Sequence, residues 1–147
     1  MLPATSVELW ARMTPESPDD FGKPRLLVVD DDAFVLEDWQ RTCIDAVVLT
    51  ASSPEEVLAR LDADPKFLSS FAAVVTDFYF GEGSSMDGRQ LADAIRSRFS
   101  GPIFLSTSSI LAASADAGAF DAVIEKTCYT WRALQDLLGR GRSSGAA

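Results

Sequence analysis

Acidic residues stand directly after two apolar stretches of this sequence, where buried strands would end. The acids of 30–32 follow the run 26–29, and Asp77 follows the run that ends at Thr76. In a parallel α/β sheet the carboxyl ends of the strands meet at one edge, so acids far apart in sequence can share a divalent cation there. The spacing therefore predicts a metal site built from acids on different strands.

Two further strand-like runs are followed by a hydroxyl residue and a cation. The run 102–105 is followed by Ser106, and the run 122–125 by Lys126. The chain contains three lysines and otherwise uses arginine, which favours a specific role for Lys126 over a surface position. Ser106 begins a run of four hydroxyl residues, so helix capping accounts for one of them and Thr107 is an alternative to Ser106.

The composition excludes several classes of function. The 147 residues are 47% hydrophobic, enough for one domain with a normal core, and the net charge of −9 would repel nucleic acid and anionic membranes. Without any histidine, the chain cannot hold a Ser-His-Asp or Cys-His pair, a His-ligated zinc or a phosphohistidine. Any phosphohistidine chemistry must involve another protein.

The cysteines and the N-terminus indicate a cytoplasmic protein. Cys43 and Cys128 lack a Cys-x-x-Cys spacing, which favours buried thiols over a disulfide. The N-terminus has no signal-peptide pattern, and no apolar run is long enough to span a membrane.

Strand-like and helix-like segments alternate along the chain, which predicts right-handed βαβ units and a sheet covered on both faces. The predicted strands are 26–29, 46–51, 72–76, 102–105 and 121–125; the predicted helices are 33–43, 54–62, 88–99, 109–117 and 130–139. Three residues are predicted N-caps of these helices: Asp32, Ser53 and Asp87.

The chain is predicted to divide into three parts. Residues 1–24 form an extension in which 6–13 can make one or two helical turns before prolines and a glycine break regular structure. Residues 25–139 form the domain, and 140–147 form a flexible tail. No output domain is expected after residue 139.

Five chemical segments, in this order and at these intervals, resemble the receiver domain of two-component response regulators. They are Val29-Asp30-Asp31-Asp32, Thr76-Asp77, Met86-Asp87-Gly88, Leu105-Ser106 and Glu125-Lys126. The resemblance covers roughly residues 25–139. It implies a flavodoxin-like, doubly wound sheet of five parallel strands in the order 2-1-3-4-5, an order that the chemotaxis member of that family shares.

The resemblance also implies a role for each site residue. Asp77 would be the phosphoacceptor, Asp30, Asp31 and Asp77 would hold Mg²⁺ with the backbone carbonyl of Tyr79, and Ser106 and Lys126 would contact the phosphoryl group. Physical chemistry agrees, because a carboxylate attacking an anionic phosphoryl group needs a cation to bridge them and further positive charge in the transition state. Mg²⁺ takes few protein carboxylates, which suits this set.

The sequence departs from the family's pattern in three places. Thr127 follows the lysine where a proline usually sets a cis turn, Val123 replaces an aromatic residue, and the loop 78–86 is a few residues longer than usual. The acids are intact, so the departures fall in the parts that report the state of the site.

Three functions are compatible with these residues. The first is a stand-alone receiver, not an enzyme, that takes phosphate from a histidine kinase or histidine phosphotransfer protein and signals to a downstream protein. The second is a receiver-like module that binds partners without phosphorylation, which Val123 and Thr127 make credible. The third is a haloacid-dehalogenase-like phosphatase with Asp30-x-Asp32 as its nucleophile motif; Phe34 fits that motif poorly, and no acidic pair follows Lys126.

Overall fold

The computed structural model describes residues 22–108, 118–126 and 129–146. The strands are β1 (Arg25–Val29), β2 (Val47–Ala51), β3 (Ala73–Thr76), β4 (Ile103–Thr107) and β5 (Ala122–Glu125). The helices are α1 (Ala33–Thr42), α2 (Pro54–Ala63), α3 (Gly88–Ile95) and α4 (Trp131–Ala146), with a 3₁₀ turn at Phe67–Ser70. The predicted helix 109–117 and residues 1–21 of the predicted extension lie outside the described residues.

All the described strands form one parallel sheet in the order β2-β1-β3-β4-β5, so the predicted flavodoxin-like topology is confirmed. The β1–β3 register places Val29 opposite Thr76. The ladder continues one residue further, because Asp77 N donates to Val29 O at 2.9 Å and Asp30 N donates to Ala51 O at 3.1 Å. The first acids after β1 and β3 are therefore adjacent.

Helices cover both faces of the sheet, as predicted. Since alternate residues of a strand point to opposite faces, Val28 lies in the core shared with α1 and α4, and Val29 lies in the core shared with α2 and α3. Trp39 of α1 and Leu134 of α4 are fully buried in the first core. Burial of such a side chain stabilises the fold by about 1.5–3 kcal/mol.

Two helices differ in length from their predictions. Helix α3 ends at Ile95 instead of residue 99, and the chain tightens there, since Arg98 N donates to Ile95 O at 2.9 Å. Phe99 is buried nevertheless. Helix α4 continues to Ala146 past the predicted end at residue 139, so residues 140–146, predicted as a flexible tail, belong to the helix.

Within the described part of the chain, no helix has the length and apolar character to cross a bilayer.

Candidate functional site

Three carboxylates meet at the carboxyl edge of the sheet. Oxygens of Asp30, Asp31 and Asp77 lie within 4.8 Å of one another. Asp30 is buried, Asp77 is half-buried and Asp31 is exposed, so the cluster opens to solvent on one side. Carboxylate oxygens are hard ligands that Mg²⁺ prefers, and a partly open cluster leaves room for the waters that Mg²⁺ retains. The residues present therefore fit a magnesium ion.

Backbone groups close in sequence orient two of these carboxylates. Asp30 Oδ1 accepts a hydrogen bond from Asp32 N at 2.9 Å, and Asp77 Oδ1 accepts one from Phe78 N at 2.8 Å. In each acid, Oδ1 is therefore bound within the local turn. The other oxygen of each, Oδ2, is turned toward Lys126.

Lys126 connects the acids across the sheet. Its Nζ lies 2.9 Å from Asp30 Oδ2 and 3.2 Å from Asp77 Oδ2. The lysine directly follows β5, and its backbone N donates to Thr107 O at 3.0 Å, which extends the β4–β5 pairing to the edge. One ammonium group thus bridges two acids that follow different strands of the sheet.

The electrostatics reflect crowding of like charge in a partly buried site. Burial raises the pKa of Asp30 above its ordinary value, despite the opposing bonds from Asp32 N and Lys126. Burial and the charge of Asp30 raise the pKa of Asp77. Burial alone would lower the pKa of Lys126, but its bond to Asp30 and the charges of Asp77 and Asp30 outweigh burial and raise it. A divalent cation would relieve this repulsion.

The hydroxyl position remains open between two residues. Ser106 is 2% exposed, and its Oγ has no hydrogen-bond partner among the described residues. It shares the α1 and α4 side of the sheet with Phe104, two residues earlier. Thr107 is half-buried at the last position of β4. The predicted contact of Ser106 with a phosphoryl group stays a prediction, with Thr107 as the alternative.

Two other acids serve as helix caps, as predicted. Asp32 Oδ1 accepts from Phe34 N at 2.9 Å at the start of α1. Asp87 caps α3 in a capping box with Gln90. Asp32 is exposed and is not part of the carboxylate cluster found among the described residues.

Gly88 has a structural role that sequence reasoning missed. A Cβ atom at this position would lie 2.1 Å from the carbonyl oxygen of Asp77. Gly88 N also donates to Phe78 O at 2.7 Å. Only glycine lets the start of α3 approach the Asp77 backbone this closely, and the dipeptide Asp87-Gly88 is the sequence signal that could have shown it.

The long loop 78–86 is attached to α2 by Glu55, another residue that sequence reasoning missed. Ser84 Oγ donates to the Glu55 carboxylate, and Ser85 N donates to it at 3.3 Å. At the other end of the loop the Tyr79 side chain is 75% exposed. Ligation of a metal by the Tyr79 carbonyl stays a prediction.

Sequence reasoning also missed Asp45, which binds residues 86 and 87 positions later, and Tyr129, whose hydroxyl reaches three residues back. Asp45 accepts from Trp131 N at 3.1 Å and Arg132 N at 3.0 Å at the start of α4. Tyr129 Oη donates to Lys126 O at 2.9 Å. The peptide bond after Lys126 involves Thr127, which lies outside the described residues.

Several solved structures with a similar fold are each about one-fifth identical to the chain. They include the chemotaxis protein CheY4 of Vibrio cholerae, with 21% identity, a TM-score of 0.61 and coverage of 81% of this chain and 98% of that one. The response regulator protein TrrA of Thermotoga maritima, solved in complex with Mg²⁺-BeF, shows 20% identity, a TM-score of 0.61 and coverage of 80% and 98%. A signal receiver domain of an HD domain-containing protein from Pseudomonas fluorescens Pf-5 shows 19% identity, a TM-score of 0.61 and coverage of 90% and 98%.

These similarities establish the fold, which is that of receiver domains. No protein-family model and no curated protein matches the sequence.

Proposed function

We propose that the protein is a response regulator receiver that accepts a phosphoryl group on Asp77 from the phosphohistidine of a partner kinase or phosphotransfer protein. The observation that carries the proposal is the contact of Lys126 Nζ with both Asp30 and Asp77 inside the carboxylate cluster. An ordinary surface ion pair would join Lys126 to a single acid. Here the lysine contacts two acids at the edge of a receiver fold, an arrangement that suits transfer of a charged group onto one of them.

In the proposed reaction a carboxylate oxygen of Asp77 attacks phosphorus. The new bond is an acyl phosphate P–O bond, and the P–N bond of the donor phosphohistidine breaks, with its electron pair returning to the imidazole. Lys126 offsets the negative charge that builds up between the two anions. Mg²⁺, when bound by Asp30, Asp31 and Asp77, supplies the further neutralisation that lets an anionic nucleophile approach an anionic phosphoryl group.

The protein then acts as a modified partner and not as an enzyme, because it carries the phosphoryl group itself. We infer that phosphorylation changes its affinity for a downstream protein and not for DNA or a membrane, in line with the net charge of −9. The buried Cys43 thiol is free, which fits the reducing conditions of the cytoplasm.

The phosphatase alternative loses support because Asp32, which its motif would use, caps α1.

The deciding experiment treats the purified protein with acetyl phosphate and Mg²⁺ and maps the modified residue by mass spectrometry. We expect one phosphoryl group on Asp77 and none in Asp77→Asn. Asp87→Asn is the matched control, since asparagine also caps a helix and labelling should persist.

Two outcomes would overturn the proposal. Modification of Asp30, or labelling that persists in Asp77→Asn, would revive the phosphatase. A wild-type protein that takes no label under these conditions would favour the interaction module that works without phosphorylation.

A further inference from the structure

The backbone of Lys126 is held on both sides. Its N–H donates to Thr107 O at 3.0 Å, and its carbonyl accepts from Tyr129 Oη at 2.9 Å. A lysine side chain has a flexible four-carbon stem, so its ammonium group stays at two particular acids only if the backbone that carries it is fixed. The second of these bonds comes from a side chain and can be removed without changing the lysine.

Tyr129 is itself anchored on α1. Its ring lies 5.2 Å from the ring of Trp39, centroid to centroid, and Trp39 is fully buried. Its backbone oxygen accepts from Thr42 Oγ1 at 3.3 Å. Because α1 begins directly after the acids of 30–32, Tyr129 ties the backbone of Lys126 to the helix that follows the acidic cluster.

We propose that Tyr129 is a positioning residue: its ring packs against Trp39, and its hydroxyl holds the Lys126 carbonyl so that Lys126 Nζ reaches both Asp30 and Asp77. The inference rests on the proposed function only for the role of Lys126 in phosphoryl transfer. The hydrogen bond from Tyr129 Oη goes to the Lys126 carbonyl and not to a predicted metal ligand. Loss of its hydroxyl therefore slows transfer and leaves Mg²⁺ affinity nearly unchanged.

The test is Tyr129→Phe, which keeps the ring on Trp39 and removes one hydrogen bond. At saturating acetyl phosphate and Mg²⁺ we expect phosphorylation of Asp77 to slow about fivefold, the factor that corresponds to one ordinary hydrogen bond. The matched control is Ser69→Ala, which removes a hydroxyl that donates to Lys66 O at 2.7 Å with the same three-residue spacing. Ser69 lies in the 3₁₀ turn before β3, so its loss should leave the rate unchanged.

A second comparison separates positioning from general stabilisation. In a Lys126→Gln background, Tyr129→Phe should cause no further slowing, because the lysine that it positions is gone. Rates that multiply in the double variant would overturn the inference. So would a Tyr129→Phe protein that labels as fast as wild type, and in that case the proposed function would stand.

Urea unfolding of wild type, Tyr129→Phe, Lys126→Gln and the double variant gives a readout that does not depend on phosphorylation. We expect the effects of the two substitutions on the free energy of unfolding to be less than additive, since Tyr129→Phe weakens the same contact with Asp30 and Asp77 that Lys126→Gln removes. If wild type takes no label on Asp77, the proposed function fails, and the positioning role is then judged from the four unfolding free energies alone. Additive effects of the two substitutions would refute that role.

Discussion

Two halves of the candidate site are held in different ways. In the acidic half, defined as Asp30, Asp31 and Asp77, backbone N–H groups one or two residues away along the chain orient the carboxylates of Asp30 and Asp77. The basic half, defined as Lys126, Tyr129 and the start of α4, is oriented by α1 and by Asp45, at separations of 86 and 87 residues. The acids are placed by local turns, whereas the lysine depends on tertiary packing.

This difference makes the two halves separately testable. Substitution of an acid should change metal binding and the acceptor itself and leave the packing of α4 intact. Substitutions around the lysine should change the rate of transfer or the stability of the fold while the metal ligands remain in place. The predictions that follow are arranged by the size of the expected effect.

The largest effect is expected from Lys126→Gln. This change removes the ammonium group that contacts both Asp30 and Asp77. The two carboxylates, whose pKa values burial already raises, then lose the positive charge beside them. Loss of one preorganised electrostatic contact to a transition state costs about 10²–10³ in rate, so phosphorylation of Asp77 by acetyl phosphate should slow by about that factor. The measurement is the initial rate of labelling at saturating Mg²⁺.

Lys66→Gln is the matched control for that variant, since Lys66 is exposed and precedes the 3₁₀ turn far along the chain from β5. Its labelling rate should equal that of wild type. A Lys126→Gln protein that labels within twofold of wild type would show that the basic half takes no part in transfer, and the contrast between the halves would then concern stability alone.

A smaller effect, on metal binding, tests the acidic half. At Mg²⁺ about tenfold above its dissociation constant, binding to the folded state should stabilise wild type by about 1.4 kcal/mol. For a chain of this length that corresponds to a rise in melting temperature of about 3 to 6 °C. In Asp31→Asn the rise should largely disappear, because a cluster oxygen loses its charge.

Asp32→Asn provides the comparison for Asp31→Asn. It neutralises the next acid along the chain, which caps α1, and asparagine caps equally well. Its response to Mg²⁺ should match wild type. An equal metal effect in all three proteins would refute the ligand role of Asp31.

The acidic half was predictable from sequence because its geometry follows from strand ends. Asp30 and Asp77 each come directly after a buried strand, and parallel register alone makes them neighbours. The strand order was predicted from the family resemblance. The caps Asp32 and Asp87 were predicted from their own positions at the helix starts, since aspartate is favoured there.

The basic half could be predicted only in part. Lys126 was identified because it follows β5. A tyrosine three residues later does not by itself indicate that its hydroxyl would bind the Lys126 carbonyl, and nothing near α4 in sequence indicates that Asp45 would bind the start of that helix. Such contacts are set by how α1 and α4 pack on the same face of the sheet. The length of α4 was mispredicted for a local reason, since Gly139 suggests a helix end and the helix continues past it.

The smallest effect, on stability, tests whether the basic half depends on its distant cap. Burial would raise the pKa of Asp45, but the N–H bonds from Trp131 and Arg132 outweigh it and lower the pKa. A folded-state pKa below the unfolded value means that this carboxylate contributes stability above the ordinary aspartate pKa and loses it as pH falls through the folded pKa. Cys43 Sγ also donates to Asp45 Oδ1 at 3.4 Å, and burial raises the thiol pKa to about 12, which keeps it protonated.

Asp45→Asn should therefore lower the free energy of unfolding by about 1 kcal/mol at neutral pH, the usual cost of weakening a charged helix cap. The difference from wild type should shrink as the pH falls from the ordinary aspartate pKa through the lower folded-state pKa of Asp45, because the wild-type carboxylate loses its charge over that range. Urea unfolding at several pH values measures both quantities, and Asp64→Asn, which changes an exposed acid bonded locally to Lys66 N, is the control. If Asp45→Asn matched wild type at every pH, α4 would be held by its apolar contacts alone, and the basic half would need no charged contact from the α1–β2 connection.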